Sequence, residues 1–245
     1  MDLATGETLS LRGNEPFPMA STMKIHVAAL YLQQVEHGRR SLDDTISGQS
    51  ARSLMAAMII RSNNTATDIL LRDLGGPAVL QRWIEQNQLS GMRIDRTIAQ
   101  LLAAKRDLWD LRDSSTPMGM VELLRRIDKG ELLKPESRKY LLGLMAKCST
   151  GKNRMRALLP NGTRVEHKTG TLNGLSADVG FITLPDGRRL AVAFFARGGT
   201  NRPRTIAEAA WTIYHGFQSA GRSFIHSALA PAPSQSAAVS YQLQH

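Results

Sequence analysis

Residues 21–38, STMKIHVAALYLQQVEHG, carry apolar side chains at helical spacing, with Ser21 or Thr22 near the start and Gly38 as the stop. SARSLMAAMIIRS predicts a second, strongly apolar helix that ends near Ser62. TATDILLRDLGG predicts a third, stopped by Gly75–Gly76, and GPAVLQRWIEQNQ a fourth with Pro77 in its first turn. Residues 90–115 mix charges and show no clear period. STPMGMVELLRRIDKGEL and KPESRKYLLGLMAKCS predict two more helices, the first capped by Ser115 or Thr116. The period then changes. RVEHKTG, DVGFITLP and RRLAVAFFARG alternate or run apolar, and Pro185-Asp186-Gly187 joins the last two as a hairpin. NRPRTIAEAAWTIYHGFQSAG predicts a final amphipathic helix. At the other end, DLATGETLSLR alternates about Thr5–Gly6 and reads as a β-hairpin with a very short first strand, as if the start were cut. After Gly221 the chain turns to Ala, Pro, Ser and Gln, which predicts a disordered tail over 221–245 behind a single two-lobed unit over 1–220. The order of strands, helices, strands and helix is an α+β pattern, with a sheet that combines strands from both chain ends.

Composition narrows the class. The 245 residues are 42% hydrophobic and 21% charged, ordinary for a soluble globular protein. The net charge is +10, yet the basic residues are scattered and only 5% of residues are aromatic, so no nucleic-acid stripe is expected. The start has neither a basic nor an apolar leader region, and no apolar run reaches the length of a membrane span. Cys148 is the one cysteine, which excludes an internal disulfide; it reads as a buried structural residue at a helix end. The six histidines show no zinc spacing, so neither metal nor cofactor is expected. His26 is expected to point away from the neighbouring chemistry, and His167 to the face of its strand opposite Lys168.

Three short stretches carry candidate chemistry. Ser21 and Lys24 are spaced i, i+3, so a helix puts them on one face. A serine hydroxyl needs a base, and a lysine desolvated by apolar neighbours is neutral enough to be one. The plainer reading is a capping serine followed by a lysine that snorkels to water. Ser62 and Asn64, in RSNNTATD, sit between two helices, where a hydroxyl and a carboxamide can face a cleft or simply cap the next helix. Lys168, Thr169 and Gly170 lie on a strand. Gly170 permits close approach of a ligand to the backbone, and the N–H of Thr171 is then available to an oxyanion. Alone, this stretch also reads as an ordinary edge strand.

Taken in order, STMK, SNN and HKTGT resemble the Ser-x-x-Lys, Ser-x-Asn and Lys-Thr-Gly elements of the penicillin-recognising serine enzymes. SNNTATDILLRDLGGP and LPNGTRVEHKTGTLNG are most similar to the class A β-lactamase branch, and the resemblance extends from DLATGE to about Phe217. It implies a β-lactamase/transpeptidase-like fold: an antiparallel sheet flanked by helices, plus a mostly helical lobe. It implies that Ser21 is acylated, that Lys24 takes or shuttles its proton, and that Ser62 passes the proton to the leaving nitrogen. Asn64 would bind the substrate's amide side chain. Lys168 and Thr169 would bind the substrate carboxylate, Lys168 also polarising Ser62, and the N–H groups of Ser21 and Thr171 would form the oxyanion hole. The implied partner is a small β-lactam or acyl-peptide, and the implied assembly a monomer. Members are usually periplasmic or secreted.

The match fails at definite points. Class A enzymes use a loop glutamate to activate the deacylating water; the corresponding stretch, RIDRTIAQLL, has Ile98 at the aligned position. Asp95, Asp107, Asp110 and Asp113 are near but match no motif, and Glu166 reads as a charge partner on its strand. Asn63 stands where an aspartate is usual. A segment after SLDDTISGQ is shortened, no N-terminal helix precedes the first strand to pack on IAEAAWTIYHGF, and LNGLSADVG offers no carboxylate-binding arginine. Three functions fit these residues: a β-lactam hydrolase, a peptidase or esterase of cell-wall type, and a domain that is acylated and stays so.

Overall fold

The computed structural model describes residues 1–105 and 107–229. Its centre is helix α1 (Lys24–Glu36), in which every residue from Lys24 to Leu32 is buried. A helix apolar on all sides has to be enclosed, and here other helices enclose it. These are α2 (Ala51–Ile60), α3 (Asn64–Asp73), α4 (Pro77–Gln86) and α7 (Pro135–Ala146). Pro77 opens α4 and Pro117 opens α6 (Pro117–Asp128), where the missing N–H costs nothing. The indole of Trp83 donates to Gln33 at 2.9 Å and ties α4 to α1.

The second lobe is an antiparallel sheet, ordered β6 (Val165–Leu172), β7 (Leu175–Thr183), β8 (Arg189–Arg197). Helix α8 (Arg202–Leu229) packs on β7 and β8, α6 on β8, and α7 on β6. One apolar cluster fills the helical lobe and reaches Val179, Phe181 and Ala191 of the sheet; a second lies between the sheet and α8 around Ile206, Ala210 and Tyr214. The N-terminal end joins β8 through a single bridge, Asp2 to Leu190, rather than as a strand. The expected hairpin over 2–12 is thus reduced to a turn in which the Asp2 N–H donates to the Glu7 carbonyl at 2.8 Å, and Leu9 and Leu11 are left exposed. Helix α8 also runs through Leu229, past the point where composition predicted disorder; residues 230–245 of that expected tail lie outside the described residues. A groove of about 1040 Å³ lies between residues 8–12, β8 and α8, and none of the motif residues lines it.

Small elements fix the loops around the lobe junction. Strands β2 (Thr45–Ile46) and β3 (Gln49–Ser50) form a hairpin that feeds directly into α2, capped by Ser50. Strand β1 (Phe17–Pro18) pairs with β5 (Ser114–Ser115), which pairs with β4 (Met92–Arg93). Both ends of the 94–113 loop are therefore pinned just before Ser21, and the Met19 N–H donates to the carbonyl of Asp113 at 2.8 Å. Within that loop is the short helix α5 (Ile98–Ala103).

A 3-10 turn over Ala20–Met23 carries Ser21 into α1 and lies against β6. A Cβ at Gly170 would stand 2.7 Å from the carbonyl oxygen of Met19. Gly170 is thus needed for the approach of this turn, not only for that of a ligand. Gly170→Ala is expected to destabilise the fold by about 1–3 kcal/mol, the usual cost of overpacking. Gly143→Ala, at an exposed position inside α7 where a Cβ meets nothing within 4 Å, is expected to stabilise it by about 1 kcal/mol. Urea unfolding of the two variants checks this; equal effects would contradict it.

Candidate active site

Ser21 is half-buried at the lobe junction, one 3-10 turn before Lys24. Ala20, just before it, has φ +48°, a left-handed conformation that aims the turn at the cleft. Lys24 is fully buried, and its Nζ donates to the carbonyl of Ser62 at 2.7 Å, to Ser62 Oγ at 3.1 Å and to Asn64 Oδ1 at 2.7 Å. Lys168, also fully buried, donates to the same Ser62 Oγ at 2.8 Å and to the carbonyl of Thr169 at 2.8 Å. One hydroxyl is therefore shared by two lysines from different lobes. Among the described residues no hydrogen bond links Ser21 to Lys24.

The connection between α2 and α3 creates this arrangement. Ser62 has φ +56°, which reverses the chain after α2. Asn63 then caps α3, accepting from the Ala66 N–H at 2.8 Å. The capping role suggested for this stretch falls on Asn63, which frees Ser62 and Asn64 to meet the lysines. An amide serves that cap as an aspartate would.

Burial, the charge of Lys168 and, against them, Asp68 bring Lys24 down to about 7. Burial lowers Lys168 to about 8, with Cys148 and Asp178 holding it up and Arg154 pressing it down. The larger lowering falls on Lys24, which is therefore the lysine that gives up its proton more readily. A neutral Lys24 has two N–H groups for its two nearest acceptors, and its lone pair then faces the Ser62 hydroxyl at 3.1 Å.

The strand side adds Thr169, Gly170 and Thr171. Thr169 is buried, with its hydroxyl 2.6 Å from that of Thr150, and Thr171 is exposed. A residue that the sequence did not disclose completes this side. Arg154 is buried and donates to the carbonyls of Gly170 and Ala177, each at 2.8 Å, and to the Thr171 hydroxyl at 2.7 Å. This arginine comes from a loop upstream of β6 rather than from the strand after Thr171, and nothing in KNRMRALLP singles it out.

Among the described residues of the 94–113 loop no glutamate is present, and three of the four aspartates are held in ion pairs. Ile98 is buried, and its N–H and that of Ala99 donate to Asp68 at 2.8 and 2.9 Å. Asp95 pairs with Arg93, Asp110 with Arg112 and Arg96, and Asp113 with Arg96 at 2.5 Å, while Asp107 accepts from the N–H of Trp109. Arg112 holds Asp110 down to about 2, against the opposing effect of burial. Glu166 is buried between Arg164 and Arg189, the charge-partner role expected of it. His26 turns into the core against the sulfur of Met92. Among the described residues no cluster of His, Cys, Asp and Glu is placed to hold a metal.

A serine at the head of a buried helix, a lysine one turn on, a Ser-x-Asn turn and a Lys-Thr-Gly strand define an active-site serine enzyme of the acyl-transfer type. The comparisons with known proteins give the family. The model of the beta-lactamase enzyme family matches residues 1–217, and the chain belongs to that family. It is 31% identical to the extended-spectrum beta-lactamase PER-1 of Pseudomonas aeruginosa, over 85% of this chain and 78% of that protein. It is 30% identical to the carbapenem-hydrolyzing beta-lactamase KPC of Klebsiella oxytoca, over 80% of this chain and 74% of that one. The crystal structure of an ancestral class A beta-lactamase superposes with a TM-score of 0.84 at 32% identity, covering 89% of this chain and 92% of that one.

If Lys24 is the base, labelling of Ser21 by a fluorophosphonate, which has no carboxylate for Lys168 to bind, rises with pH through a limb near about 7. Lys24→Arg lowers the plateau by at least about 10²-fold, the lower end for lost general-base catalysis. A rate that climbs only above about pH 9, near an ordinary lysine, would refute the assignment.

Proposed function

We propose that this chain is a β-lactam-directed serine hydrolase that is acylated readily at Ser21 and releases the acyl group slowly. The observation that carries the first half is the Ser62 hydroxyl held between Lys24 and Lys168. Ser21 Oγ attacks the lactam carbonyl and its proton passes to the lone pair of Lys24. The tetrahedral oxyanion is held by the N–H groups of Ser21 and Thr171. Ser62 gives its proton to the leaving ring nitrogen and is resupplied from the lysine beside it, so charge moves over one short path. Lys168, Thr169 and Thr171, with Arg154 beneath, receive the substrate carboxylate. Asn64 already accepts from Lys24 through Oδ1, so its NH₂ is the end available to the substrate's side-chain carbonyl. A neutral Lys24 makes the serine nucleophilic, and a charged Lys168 binds the anion. No helix among the described residues is long and apolar enough to cross a membrane.

The second half rests on Ile98. Hydrolysis of the acyl-enzyme needs a base for water, and an alkyl side chain sealed in the core is none. Loss of such a base costs about 10²–10⁴ in rate. Lys24 is then the remaining group that can activate water. This favours the reading of a long-lived acyl-enzyme, as in a sensor, over that of a peptidase or esterase, for which no residue speaks specifically.

A chromogenic cephalosporin should give a burst near one equivalent of enzyme, followed by a slow steady state. Ser21→Ala removes both phases, and Ile98→Glu accelerates the slow one. Rapid turnover without a burst would mean that another group supplies the base. Asp95→Asn and Asp107→Asn would then identify it, and if neither slowed the enzyme the assignment of this loop would fall.

A further inference from the structure

The groove between β8 and residues 8–12 has no part in the acylation scheme. Strand β8 is the last strand of its sheet, paired on one side with β7. Its other edge is met only at one end. The Leu3 N–H donates to the Arg189 carbonyl at 2.9 Å, and Met1 and Ala191 exchange both of their backbone hydrogen bonds at 2.9 Å. The odd-numbered residues of β8 therefore turn their N–H and C=O groups outward. Ala193 and Phe195 continue that row along the groove, and no described residue pairs with their backbone there. The opposite wall carries a second unpaired edge. Residues 8–12, TLSLR, alternate like a strand, yet Leu9, Ser10 and Leu11 make no backbone hydrogen bond among the described residues. Leu9 and Leu11 are 66% and 88% exposed. The two flanks between these edges are apolar: Ile206 and Ile213 of α8 on one face of the sheet, Met118 and Val121 of α6 on the other. The charged residues that line the groove are Arg12, Arg197 and Arg202, and none that line it is a carboxylate.

We propose that this groove is a docking site for an added β-strand supplied by another polypeptide. The strand lies antiparallel to β8, pairs with Ala193 and Phe195 on one edge and with residues 9–11 on the other, and carries apolar side chains on both faces and an acidic residue at its N-terminal end. Apolar surface alone would not select a strand; two rows of unpaired backbone groups along one groove do. The direction follows from Met1–Leu3, which already runs antiparallel to β8 and whose line the added strand continues. Apolar side chains on both faces follow from α8 and α6, because successive residues of a strand point to opposite sides. The acidic end follows from Arg202, just beyond the end of β8 that the N-terminus of an antiparallel strand reaches. A second copy of this chain is a poorer occupant. A two-fold contact would set the same arginines against each other, in a chain of net charge +10. The docking site does not depend on the acylation scheme.

The probe is the peptide acetyl-Glu-Val-Ile-Val-Ala-Val-amide, titrated calorimetrically into the full chain. Saturable 1:1 binding is expected, with slowed hydrogen exchange at the amides of Ala193 and Phe195. Two forms of the peptide, N-methylated at one or the other set of alternate amides, each remove the donors of one edge and leave the side chains in place. Each should bind at least about 10-fold more weakly, the loss for two hydrogen bonds of ordinary strength. Leu9→Glu with Leu11→Glu, both at exposed positions, should weaken the parent peptide by about 10-fold while the unfolding midpoint stays in place. Absence of binding, or equal binding of the parent and both methylated forms, would overturn the proposal. So would a dimer in sedimentation equilibrium that the peptide dissociates, since the face would then belong to a second copy.

Discussion

The site depends on one buried ammonium-bearing side chain. Lys24 sits where the central helix begins, enclosed by apolar neighbours, and its Nζ is held by groups from the turn between α2 and α3. Those contacts fix three things at once. They orient the residue one turn beyond Ser21, they hold Ser62 in its left-handed conformation, and they fix the Oδ1 end of Asn64. Through Ser62 the same contact reaches Lys168 on the sheet, so the two lobes are joined at a shared hydroxyl as well as by the apolar cluster. A charge so placed is costly, and the protein meets the cost by letting Lys24 lose its proton near neutrality.

Two cations cannot comfortably share one hydroxyl, and the surroundings decide which yields. Lys168 has Cys148 and Asp178 in support, while Lys24 has only Asp68 against burial and its neighbour. The base and the anion receptor are thus the same residue type in different company. Two similar groups pushed apart in this way can divide acid and base duties within one cleft. The gap between them is small, so modest changes in the second row of charges can widen or close it.

Much of this was legible in the chain. The helices from 21 to 86 and the three strands after 164 follow from apolar spacing, because their partners lie on one face and their caps are local. The Ser-x-x-Lys, Ser-x-Asn and Lys-Thr-Gly stretches were recognisable only as a set, since each alone has a plainer structural reading. What stayed hidden depends on contacts between distant residues. Helix α5 is held by Asp68, some thirty positions earlier, so the 90–115 stretch shows no period of its own. Arg154 enters through a loop with no motif. The alternation in residues 2–12 suggested a hairpin, but the segment meets β8 through a single bridge, Asp2 to Leu190. Cys148 was expected to be buried, and it is. Helix α8 outruns its compositional limit and continues through Leu229.

Membership of the β-lactamase family accounts for the acylating half of the site, while Ile98 departs from it in the half that should release the product. The acylating half rests on the claim that Lys24 gives up its proton near working pH. The most direct test is an NMR titration of lysines labelled at Cε, with Lys24 assigned by its absence in Lys24→Arg. The account predicts a Lys24 midpoint near about 7, well below the ordinary lysine value of 10.5. A Lys24 signal that titrates with the surface lysines would contradict it.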